Sequence, residues 1–217
     1  MIVAQFRQPK FLPMVPVVVA FALLLPTSNA HALIELKGGY SFVMSNPNDI
    51  NAVNPAAPKT GTLNALSVDA MASVPMMPVG LGVRYETITA KNTKTTNDSS
   101  VNWTRVSILV NKRLVDTGLY FGPIATIGVS NDFKYHSNIA GTGTDYTAKA
   151  NISETLGLEA GAKIAIFRVG AEAGYMYAPL GKLKNTTTGA DAVTSSGASV
   201  SADMSGPYFR LLVGLGF

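Results

Sequence analysis

Between Pro207 and Phe217 the chain reads Pro-Tyr-Phe-Arg-Leu-Leu-Val-Gly-Leu-Gly-Phe. Every second residue is large and apolar: Phe209, Leu211, Val213, Leu215 and Phe217. The residues between them, Tyr208, Arg210, Leu212, Gly214 and Gly216, are mixed, small or charged. Successive residues of a strand point to opposite faces. One face of this segment therefore needs hydrocarbon, while the other tolerates a guanidinium and needs room. Every other strand of the same sheet must show the same division.

Seven more segments do. The first, about Leu33 to Met44, sets Ile34, Leu36, Gly38, Tyr40 and Phe42 against Glu35, Lys37, Gly39 and Ser41. The second, about Thr62 to Val74, sets Leu66, Val68, Ala70 and Ala72 against Ser67, Asp69 and Met71. In the third, Val79 to Ala90, Leu81, Val83 and Tyr85 oppose Arg84 and Glu86. In the fourth, about Val101 to Leu114, Val106, Ile108 and Val110 oppose Arg105, Ser107 and Arg113. Trp103 falls on the inner face by parity, a placement that one bulge would reverse. The fifth starts at Leu119, with Phe121, Ile127 and Val129 outward. The sixth, about Tyr146 to Ile166, has Leu156, Leu158 and Ala160 outward, Glu159 and Lys163 inward. The seventh, Phe167 to about Gly181, has Val169, Tyr175 and Tyr177 outward, Arg168 and Glu172 inward. The eighth runs from about Val200 to Phe217.

The connections alternate in length. Polar stretches at Ser45–Gly61, Lys91–Ser100, Ser137–Thr144 and Lys182–Ser199 read as four long loops. Pro75–Pro78, Asp116–Gly118 and Ile166-Phe167 read as short turns. A soluble β-sandwich can alternate its strands, but its turns need not alternate long and short. Two aromatic rows are expected. Tyr40, Phe42, Tyr85, Phe133, Tyr135, Tyr175, Tyr177 and Phe209 lie outward near the loop end. Phe121, Phe167 and Phe217 lie outward near the turn end.

The 217 residues suit one domain, taken as 33–217 behind a leader at 1–32. In the leader, Arg7 and Lys10 precede the apolar run Phe11–Leu25, and Ala30-His31-Ala32 fits a signal cleavage site. Without Arg7 and Lys10, 15 of the 17 basic residues remain against 13 acidic ones. That near-balance gives no reason to expect nucleic acid as a partner. Charged residues are 14% of the chain, against about 25% in soluble domains. There is no cysteine, which excludes thiol nucleophiles, disulfides and thiolate metal sites. No metal or cofactor is expected. After the leader no apolar run is long enough for a spanning helix, so a membrane crossing would need a closed barrel.

This pattern, with the leader and the closing Phe217, resembles the small eight-stranded bacterial outer-membrane β-barrels of the OmpX, OmpW and OmpA-membrane-domain type. The resemblance spans Leu33 to Phe217 and rests on topology. It implies an all-β, antiparallel, up-and-down transmembrane barrel in the outer membrane, with both termini periplasmic. Phe217 would belong to the signal read by the barrel-assembly machinery. Outer-membrane lipids, lipopolysaccharide, periplasmic chaperones and an extracellular ligand are the partners it implies.

The inward positions collect charge of both signs: Glu35, Asp69, Glu86, Glu159 and Glu172 with Lys37, Arg84, Arg105, Arg113, Lys163, Arg168 and Arg210. An eight-stranded barrel is just wide enough to be filled by side chains. Unpaired buried charge is costly, so these groups are expected to pair and fill the lumen. The function expected is then structural, or surface interaction through the loops. The alternative is a narrow channel or lateral conduit for small or apolar molecules. A lipid A-modifying enzyme, which some barrels of this kind are, is expected least. His136 is the only histidine outside the leader, Ser137 points to the other face, and Asp132 is roughly 13 Å along the strand. Glu159 and Glu172 could form an acid/base pair, but structural pairing with Lys163 and Arg168 is the simpler expectation.

Overall fold

In the computed structural model, residues 34–45, 47–73, 79–149, 152–194 and 196–217 are described. The leader, with Ala30 and Ala32, and the Pro75–Pro78 connection lie outside them. Eight strands form the wall. They are β1 (Ile34–Val43), β2 (Leu63–Ser73), β3 (Gly80–Lys94), β4 (Asn97–Asn111) and β5 (Leu119–Ile139). Next come β6, in two pieces (Thr142–Lys149 and Ser153–Ile164), β7 (Phe167–Tyr177) and β8 (Gly206–Gly216). Each pairs antiparallel with its neighbours in sequence, and both pieces of β6 pair with β5. The sheet closes where β1 meets β8, in register from Glu35↔Gly216 to Val43↔Tyr208. Past that register Phe217 and Ile34 exchange both backbone hydrogen bonds, at 2.9 and 3.3 Å. Closure leaves the wall no open edge, which is what allows a sheet to stand in hydrocarbon.

The period-two division produces two surfaces. Val68 is 59% exposed while its neighbour Asp69 is 0% exposed. Leu66, Leu81, Val83, Ile108, Leu119, Leu158, Val169, Leu211 and Val213 continue the outer apolar belt around the circumference. An apolar surface this continuous is stable only against lipid. The 10 residues of β1 and the 11 each of β2, β7 and β8 match the roughly 9–11 that a tilted strand needs to cross. Tyr40, Phe42, Tyr85, Tyr175, Tyr177 and Phe209 stand outward, as do Phe121, Phe167 and Phe217.

Phe133 and Tyr135 do not stand outward. They are 0% and 1% exposed and lie inside. The cause is a bulge: Val106 pairs with Ser130 and Ser107 with Gly128, which leaves Val129 as an extra residue. One extra residue exchanges the faces of everything beyond it. Asn131, Phe133 and Tyr135 turn inward, and Trp103, paired with Phe133, keeps its inner placement at 0% exposure.

Two of the expected loops are wall. β3 and β4 stay paired out to Lys94↔Asn97, and β5 and β6 to Ile139↔Thr142, so Lys91–Ser100 and Ser137–Thr144 are mostly strand. Tight turns close them at Thr95-Thr96 and Ala140-Gly141, where Thr95, Ala140 and Gly141 have positive φ. β6 is broken near residue 152 instead of running unbroken from Tyr146. β7 stops at Tyr177, and Pro179–Lys182 pairs separately with Ser201–Asp203 ahead of β8.

The first and fourth connections fold over the loop end. The first carries a short helix, α1 (Asn48–Val53), whose Ile50 is 0% exposed. Its carbonyls at Ala56, Pro58 and Lys59 accept side-chain hydrogen bonds from Asn97, Ser99 and Asn92. The fourth pairs Lys184 and Asn185 with Thr147 and Tyr146 of β6. Ile50, Leu63, Ile88, Trp103, Phe133, Leu180, Leu183, Val200 and Met204 form one buried apolar cluster inside this end.

Candidate functional site in the barrel lumen

Below the apolar cluster the lumen is crossed by one layer of hydrogen bonds. At its centre Arg84 donates Nε and Nη2 to the two carboxylate oxygens of Asp69, both at 2.8 Å. Its Nη1 and Nη2 also reach Glu172, at 3.1 and 2.7 Å. Glu172 accepts further bonds from Tyr208 Oη at 2.6 Å and Arg210 Nη1 at 3.2 Å. Arg210 donates Nε to Ser41 at 2.8 Å and Nη2 to Glu86. Glu86 is also held by Arg105 Nη1 at 2.7 Å. Arg105 then reaches Ser153 through Nε and Thr126 through Nη2, both at 2.7 Å.

Every wall strand contributes to this layer: Ser41 from β1, Asp69 from β2, Arg84 and Glu86 from β3, Arg105 from β4. Thr126 comes from β5, Ser153 from β6, Glu172 from β7, and Tyr208 and Arg210 from β8. Three arginines face three carboxylates, so the layer is neutral. Forked guanidinium–carboxylate bonds are among the stronger charged hydrogen bonds, and they fix orientation as well as distance. The arrangement is a septum that ties the wall to itself and occupies the cross-section.

A second group lies at the turn end. Arg113 grips Glu35 with both Nη atoms at 2.6 Å, and Lys37 donates to Glu159 at 2.7 Å. Lys163 pairs with Asp116, and Arg168 donates to the backbone oxygens of Ala165 and Phe167 at 3.1 Å. All twelve charged positions anticipated for the interior thus lie inside the wall. The pairing differs from expectation. Glu159 and Glu172 face one another in register but bind different bases, and neither takes Lys163 or Arg168. Their separate engagement leaves no acid/base pair.

Several residues of the site carried no sequence signal. Asp116 read as part of a turn, yet it is 6% exposed and pairs inward. Lys112, at 1% exposure, is also buried and partnered. Ser41, Thr126 and Ser153 look like ordinary polar strand residues, and their parity was the only clue.

His136 lies on the protruding wall, away from this layer. Its Nδ1 is 2.7 Å from Asp145 Oδ1 on the facing strand. Asp132 instead neighbours Lys134, at 3.4 Å. Ser137 points to the opposite face, where its hydroxyl accepts from Asn54 Nδ2 at 3.0 Å.

No family model matches the chain, and no curated protein matches it. Among solved structures its fold is similar to that of Neisserial surface protein A (NspA). That match has 13% identity and a TM-score of 0.49, over 87% of this chain and 100% of that one. It is similar also to the outer membrane protease OmpT from Escherichia coli, at 7% identity and a TM-score of 0.42, over 88% and 100%. CarO of Acinetobacter baumannii matches at 16% identity and a TM-score of 0.33, over 86% and 98%. At these identities the likeness is one of fold.

Proposed function

We propose that this chain is an integral outer-membrane barrel protein with a structural and surface-contact role. Its lumen is a sealed core, and its loop end is the contact surface for an extracellular ligand. Outer-membrane lipids and lipopolysaccharide surround the belt, the barrel-assembly machinery inserts it, and both termini face the periplasm. The observation that carries this reading is the septum, because a layer bonded to all eight strands leaves ions no continuous aqueous path. The apolar cluster above it supports the same conclusion.

Planar-bilayer recording of the refolded protein tests it. The expected trace has no steady conductance, or only small and infrequent openings. A stable, ion-selective open state would promote the channel reading. Orientation is tested separately in intact cells with a membrane-impermeant maleimide. A cysteine replacing Thr187, exposed in the fourth connection, should label, and one replacing Gly118, exposed at a turn, should not. The reverse pattern would invert the topology.

A further inference from the structure

The turn end of the lumen differs from the septum in charge balance. Lys37, Arg113, Lys163 and Arg168 stand there against Glu35, Asp116 and Glu159. It differs in solvent contact as well. The ion-paired side chains of the septum are 0–1% exposed, whereas those of Arg113, Lys163 and Arg168 are 12%, 10% and 6% exposed. This end, the vestibule, is therefore the less enclosed of the two.

Buried donors in the vestibule lack hydrogen-bond partners: Arg113 Nε, Arg168 Nε and the Tyr120 hydroxyl. Tyr120 itself is 2% exposed. The three belong to one cluster. The Arg113 guanidinium carbon stands 4.6 Å over the Tyr120 ring. Arg113 Nη1 and Arg168 Nε both approach Glu35 Oε1, at 2.6 and 3.6 Å. Glycines make room for the Tyr120 and Arg168 side chains themselves. A Cβ at Gly161 or Gly170 would come within 2.4 or 2.3 Å of the Tyr120 hydroxyl, and one at Gly216 within 2.7 Å of the Arg168 guanidinium. A buried donor without an acceptor costs the full desolvation of that group, and a surplus buried cation costs more. Glu159 Oε2 is an acceptor that also lacks a partner. A ligand that satisfied the cluster would carry acceptor oxygens, negative charge and a proton to donate.

We propose that the turn-end vestibule binds one small protonated oxyanion, of which hydrogen phosphate is the simplest, between Arg168, Arg113 and Tyr120. Its oxygens accept from the orphaned donors, and its hydroxyl donates to Glu159. The site goes beyond the surface-contact role and holds whether or not the loops bind a partner.

The test uses the folded barrel in maltoside micelles free of phospholipid. Inorganic phosphate is titrated calorimetrically at constant ionic strength, with sulfate in parallel. Saturable binding of one phosphate per chain is expected, with sulfate weaker because it has no proton to give Glu159. Arg168→Gln should weaken phosphate binding about tenfold or more, the loss of a charged hydrogen bond. Tyr120→Phe, which removes only the hydroxyl, should weaken it several-fold and still yield a folded barrel. Asp145→Asn, at the far end of the molecule, should leave it unchanged. If no saturable binding occurs, or Arg168→Gln and Tyr120→Phe both match the parent, the orphaned donors take water and the site does not exist. Loss of phosphate binding in phosphatidylglycerol vesicles would overturn the free-oxyanion assignment in favour of a lipid headgroup.

Discussion

Glu172→Ala is expected to lower the unfolding free energy of the barrel by about 3–5 kcal/mol, the usual cost of breaking a buried ion pair from one side. Glu172 accepts from Arg84, Arg210 and Tyr208 at 0–4% exposure, so the substitution leaves three donors short of an acceptor at once. Arg84 keeps Asp69 and Arg210 keeps Glu86, which limits the damage to one node of the septum. Lys182–Asp191 provides the comparison. That pair is 3.1 Å long, but its side chains are 60% and 34% exposed. Asp191→Ala is expected to cost less than about 1 kcal/mol. Equilibrium urea unfolding in detergent, read by the heat-modifiable gel shift, measures both. Equal losses for the two variants would show that the septum contributes no more than a surface pair.

Phe133→Ala should cost as much. The bulge at Val129 turns Phe133 inward, where it lies at 0% exposure in the same apolar cluster as Trp103, its cross-strand partner. Phe truncation in a core typically costs about 3–5 kcal/mol. Trp103 is the only tryptophan, and its Nε1 bond to Asn131 is 3.2 Å long, so its fluorescence reports the site directly. A red-shifted, quencher-accessible emission is expected for Phe133→Ala. Deleting Val129 should keep the parent spectrum, because Gly128 and Ser130 then become neighbours, strict alternation returns, and Asn131, Phe133 and Tyr135 still point inward. A red shift after the deletion would mean that the bulge does not set the faces of the upper strand.

Both variants mark where the sequence could be read and where it could not. Within the belt each strand has lipid on one side and side chains on the other. That asymmetry writes alternation into Leu66–Ala72 or Phe209–Phe217 plainly enough to place Asp69 and Arg210 by parity alone. Above the belt the asymmetry disappears. The outer positions of Lys91–Ser100 meet water instead of lipid and the inner ones meet loops, so a true hairpin looks like polar coil. The bulge at Val129 has no compositional mark, since both faces there accept Val or Ser. Ile50, Leu183, Val200 and Met204 reach the interior from connections without any period, so their burial is decided by tertiary contact alone. Pairing within the lumen was illegible for a different reason. Parity says which groups are inside, but not which of several neighbouring carboxylates a long arginine will reach.

The septum also bears on the order in which the wall can be completed. Several of its bonds join strands distant in the chain: Arg84 to Glu172 spans 88 residues, Arg210 to Glu86 spans 124, and Arg210 to Ser41 spans 169. None of these can form in a partly zipped ribbon, where Glu86 and Arg84 would still face water. Arg210 arrives on β8 and reaches β1, β3 and β7 together. Such non-local contacts reward the chain only after its loop entropy has been spent, which makes for slow, late and cooperative steps. Ring closure and charge neutralisation are thus a single event in time, and an intermediate of seven strands remains hydrated inside until the eighth docks.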